Sequence, residues 1–122
     1  LEGDLPLAAI LRLQREAEGP GPDETGAALM ASGDVSGMRA HARAYATGAG
    51  VARHYPAAVY WATLSAAGGD RSAAALLRQL DSRFTARPGE APVWREMTGE
   101  VGRAALTAWV EEGLADRVAA PE

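Results

Sequence analysis

The dipeptide Gly33-Asp34 returns as Gly69-Asp70, an interval of 36 residues, and the chain between the two copies is rich in alanine with aromatics at regular offsets. A period of this length is that of one helix-turn-helix unit, which cannot bury both of its faces alone and so stacks on the next. The recurrence therefore points to an all-α chain of stacked antiparallel helix pairs. Composition agrees with it: alanine makes up close to a quarter of the residues and Phe occurs once. Such a chain suits closely packed helices and lacks the β-branched, aromatic-rich runs of a sandwich. No segment alternates with period two for long enough to predict a strand.

Within the first period the local signals are consistent. Asp34 or Ser36 can cap a helix over 36–47, and Gly48 and Gly50 permit the left-handed backbone that ends it and turns the chain back. Pro56 then fixes the start of a second helix over 56–67. Ala58, Trp61 and Ser65 share one face of it, flanked by Val59 and Ala62, so a large indole sits among small neighbours. Outside that pair, Asp4-Leu-Pro-Leu reads as a capped start to a helix over 5–18, with Leu7, Ile10 and Leu11 on its apolar stripe. Gly19-Pro-Gly-Pro22 makes a stiff bend, and Asp23 can cap a short helix ending near Ser32. Residues 72–84 form a helix with Ala73, Leu76, Leu77 and Leu80 on one face, reading as the first helix of a unit that never finishes. Residues 85–97 read as a loop, and Thr98 as the cap of a closing helix to about Gly113 with Val101, Ala105, Leu106 and Trp109 on one side. This divides a single domain over 1–122 into an N-terminal helix and bend (1–22), a repeat core (23–84, clearest unit 33–69), a loop (85–97) and a C-terminal capping helix (98–116).

The clearest unit resembles the Sel-1-like repeat, a relative of the tetratricopeptide repeat. Gly33, Asp34, Tyr45, Gly48, Gly50, Val51, Tyr55, Ala58, Trp61, Ala66 and Gly69 stand at that family's positions, and Asp70 and Ala73 open the next unit in register. Gly37, His41, Ala42, His54, Ala57 and Ala62 depart from the pattern, and downstream the family tyrosine becomes Asp81. The resemblance implies an α-α solenoid, a right-handed superhelix of helix pairs with flanking capping helices. It also implies a concave groove lined by the first helices of successive units. Carried over, Arg39 and Arg43 flank the structural position at His41, with Gln79 and Arg83 holding the matching places in the next helix. Arg39 and Arg43 lie one helical turn apart on any reading, so both guanidiniums share a face. Planar guanidiniums suit carboxylates, which gives the functional expectation: a non-enzymatic interaction module, or scaffold, that binds an extended or acidic peptide of a protein partner. The competing reading of Arg39 and Arg43 is that both are solvated surface arginines. The alternative role is structural, as the terminal segment of a larger repeat array or as a homo-oligomer without a peptide ligand.

Other chemistries find little support. A net charge of −4 argues against non-specific nucleic-acid binding. No apolar stretch approaches the length of a membrane span, and no basic-then-apolar leader stands at the start, which leaves a soluble protein of cytoplasm or periplasm as the expectation. All twelve basic residues are arginine, as in a G+C-rich bacterial genome, and there is no cysteine. His41 and His54 have no H-E-x-x-H context and read as packing and capping residues, so no metal is expected. Glu96 with Glu100, and Glu111-Glu112, read as the wet face of the last helices. Gly48-Ala-Gly50 lacks the strand and the Gly-Lys-Ser/Thr of a phosphate loop, so no cofactor is expected, and no nucleophile is in view. Trp94 is left between core and surface.

Overall fold

The computed structural model describes residues 6–16 and 24–118. They form seven α-helices and, among the described residues, no strand: α1 (Leu7–Glu16), α2 (Glu24–Ser32), α3 (Val35–Thr47), α4 (Tyr55–Ala67), α5 (Arg71–Thr85), α6 (Ala91–Glu111) and α7 (Leu114–Val118). Among those residues no helix is long and apolar enough to cross a membrane. The sequence reading at Asp4, across Gly19–Pro22 and at Asp23 falls outside the described residues.

The recurring Gly-Asp dipeptide is a helix start. Gly33 and Gly69 adopt φ of 67° and 97°, in the left-handed region where a side chain is strained. Asp34 and Asp70 then cap α3 and α5: their carboxylates accept the backbone N–H of Gly37 and Ala73, each at 2.9 Å. Asp34, not Ser36, is thus the cap of α3. Gly48 ends that helix at φ 79°. His54 begins α4, its Nδ1 accepting the Ala57 N–H at 3.0 Å, with Pro56 in the first turn.

The second helix pair differs from the sequence reading. Helix α6 begins at Ala91, well ahead of Thr98, which lies inside it with its hydroxyl donating to the Arg95 carbonyl at 3.2 Å. Arg87-Pro88-Gly89 turns the chain tightly, the Arg87 carbonyl accepting from the Glu90 and Ala91 amides at 2.9 and 3.0 Å. Pro92 is tolerated in the first turn, where its missing N–H is not needed. The expected loop over 85–97 thereby contracts to 86–90, and the expected cap over 98–116 is the latter part of a long helix plus α7. Helices α3 and α5 begin at Val35 and Arg71, and α4 and α6 at Tyr55 and Ala91, so both members of the first pair recur at an offset of 36.

Helix α4 is apolar all round and buried, and it packs against α3, α5, α6 and α1. Helices α3 and α5 touch, α5 also meets α6, and α1 lies against α4 and α6. Helix α7 contacts both α6 and α2, where Arg117 donates to the Met30 carbonyl at 3.1 Å. Two aromatic clusters occupy the core. In one, His41 meets Tyr45 and Trp61 edge-on, with centroids 4.9 and 5.2 Å apart. In the other, Phe84 stacks on Trp94 at 4.5 Å and Tyr55 meets Phe84 edge-on at 4.9 Å. Trp94 is completely buried, which resolves its placement, and its Nε1 donates to Asp81 Oδ1 at 2.7 Å.

Candidate binding face on helices α3 and α5

The four side chains expected to line a groove sit on two helices in contact, but they are not equivalent. Arg39 Nη1 lies 2.9 Å from Asp70 Oδ2, and the two side chains are 34% and 7% exposed. The other oxygen of Asp70 caps α5. One buried carboxylate therefore starts α5 and ties it to α3, and Arg39 is a strut between helices more than a free cation. Sequence reasoning missed this partner. The signal was present in the Gly-Asp recurrence, which places an acid at the start of α5, but only the apposition of α3 and α5 puts that acid within reach of Arg39.

Arg43, Gln79 and Arg83 are exposed. The 36-residue offset pairs Arg43 with Gln79 but Arg39 with Ala75, and Arg83 with Thr47, so Gln79 and Arg83 are not both counterparts of the α3 arginines as expected. The Arg83 guanidinium carbon lies 5.1 Å from the centre of the Phe84 ring, a cation–π contact that positions its charge at the edge of the second aromatic cluster. The face thus offers two exposed guanidiniums and one amide, donors suited to carboxylates.

Both histidines are packed as expected. His41 lies between Tyr45 and Trp61. His54 is buried at the start of α4, beside the point where Gln14 of α1 accepts the Tyr55 N–H at 2.9 Å. Burial lowers the His54 pKa below its usual value, outweighing the opposite pull of the Gln14 backbone carbonyl. Because the folded state holds this proton less tightly than the unfolded chain, the group favours folding above about pH 6.5, and that contribution is lost as pH falls through the lowered folded value. His54→Asn keeps a capping side chain without a titrating ring. Its melting temperature should therefore fall less than that of the wild type between pH 7 and pH 5, as read by circular dichroism; parallel profiles would remove His54 as the cause.

A groove of about 560 Å³ lies elsewhere, between α1 and the first half of α6, with Leu11, Val93 and Met97 among its walls and Arg12, Glu96 and Glu100 exposed around it. Among the described residues no group of three or more His, Cys, Asp or Glu side chains is placed to hold a metal ion. No family model matches the chain, and no curated protein and no solved structure matches it.

Proposed function

We propose that the chain is a non-enzymatic protein-interaction module of the Sel-1-like kind. On this reading α3–α4 and α5–α6 are successive units of a right-handed solenoid, and an extended acidic segment of a partner lies across α3 and α5. The observation that carries it is the common offset of both helices in each pair, which puts Arg43 and Gln79 at equivalent exposed positions on adjacent first helices. Arg83 adds a second cation on α5, held by its contact with Phe84. Arg39 enters only as the strut that fixes the spacing of the two helices.

The test is fluorescence anisotropy with labelled ten-residue peptides that are Glu/Asp-rich, neutral or Lys-rich. The acidic peptide should bind in preference to the others, weakening as salt is raised. Arg43→Ala/Arg83→Ala should reduce that affinity about tenfold or more, since a hydrogen bond to a charged group contributes about 1.5–3 kcal/mol. Arg39→Ala should instead lower thermal stability. Equal binding of all three peptides, or full retention by the double variant, would refute the reading.

A further inference from the structure

The second half of α6 carries an apolar face that the described residues leave largely uncovered. Leu106 is 51% exposed and Val110 74% exposed, although Leu106 had been expected on the packed side with Ala105. Arg103, Leu106, Thr107, Val110 and Glu111 line one shallow depression. Arg103, Leu106 and Val110 follow the three-then-four spacing of a helix-pairing seam, opposite the stripe that Val101, Ala105 and Trp109 turn to the core. Solvent is a poor covering for two large aliphatic side chains one turn apart.

The charges at the two ends of this face specify what covers it. Among the described residues neither Arg103 nor Glu111 enters an ion pair within the chain. A basic end and an acidic end on one seam repel a parallel copy, which would set arginine on arginine. They attract an antiparallel one. With a two-fold axis level with residue 108, Leu106 packs on the partner's Val110 and Val110 on the partner's Leu106. In that register Arg103 stands only about 3 Å along the helix axis from the level of the partner's Glu111, taking 1.5 Å of rise per residue. The two-fold repeats the pair on the other side, and the two Arg103 side chains end up about 15 Å apart along the axis.

We propose that the second half of α6 is a self-association surface on which two copies of this chain pair antiparallel, with Leu106 and Val110 at the centre and Arg103 facing the partner's Glu111 at both ends. The proposal is independent of the peptide-binding reading, which uses α3 and α5.

Sedimentation velocity over a concentration series tests it. The wild type should shift from monomer to dimer as concentration rises, and Leu106→Glu/Val110→Glu should stay monomeric with unchanged helical circular dichroism, because both positions face solvent in the single chain. Arg103→Glu places two like-charge contacts in each dimer and should raise the dissociation constant at least tenfold. Adding Glu111→Arg should restore it to within about threefold, since the reversed pair has the same geometry. A wild type that is monomeric up to about 1 mM, the weakest affinity that counts as association here, would overturn the proposal. So would a dimer that survives Leu106→Glu/Val110→Glu, or a double charge reversal no better than the single one, results that would leave this face to another occupant.

Discussion

Trp94→Ala should lower the unfolding free energy by about 3–5 kcal/mol, a large part of the roughly 5–15 kcal/mol available to a domain of this kind. The indole is fully buried, stacked on Phe84, beside Tyr55, and hydrogen-bonded through Nε1 to Asp81. Removing it opens a cavity at the meeting of α4, α5 and α6 and strips Asp81 of its donor. Trp94→Phe separates the two losses, since a phenyl ring can retain the stack but donates nothing. It should fall between the wild type and the alanine variant. Asp81→Ala should be destabilising in the wild type and nearly neutral in the Trp94→Phe background, the signature of a bond lost only once. Urea unfolding followed by circular dichroism measures all four variants. A loss below about 1 kcal/mol for Trp94→Ala would show that the indole is not the anchor described here.

The same tryptophan marks where the sequence stopped being legible. In the first helix pair every signal is local: a left-handed glycine, a capping aspartate, a proline in the first turn of α4, and Trp61 on the packed stripe. Each can be read from its neighbours in the chain, and the helix ends follow within a residue or two. In the second pair the signals are split across the interface. Offset by 36, Asp81 stands where Tyr45 does and Trp94 where Ala58 does, so the aromatic has moved from the first helix of the pair to the second. Nothing local shows that these two changes compensate, and only the packed structure brings the Asp81 carboxylate to the indole N–H. The start of α6 was misplaced for a related reason. Pro92 was weighed as a loop residue, when the first turn of a helix tolerates proline equally well. The Arg39–Asp70 contact was out of reach because it joins residues 31 apart through the side-by-side packing of α3 and α5. Leu106 fell on the expected apolar side by periodicity, yet the described helices leave it half-exposed.

Trp61→Ala should also cost about 3–5 kcal/mol, but through a different part of the core. Trp61 is 4% exposed and meets His41 and Tyr60 edge-on, so its loss loosens α3 on α4 while leaving the Tyr55–Phe84–Trp94 cluster in place. Trp61→Phe, which keeps an aromatic edge against His41, should recover a substantial part of the loss. The two clusters are not insulated. His54, which faces Tyr45, and Tyr55, which faces Phe84, are consecutive residues at the start of α4, so each cluster grips the same turn of the same helix. Both single variants should therefore unfold in one transition at reduced denaturant. Combining Trp61→Ala with Trp94→Ala should remove about 6–10 kcal/mol and leave a chain that is largely unfolded at room temperature. Two separate transitions in either single variant would show that the helix pairs α3–α4 and α5–α6 fold independently. A single transition would mean that α4, gripped from both sides, makes them one cooperative unit.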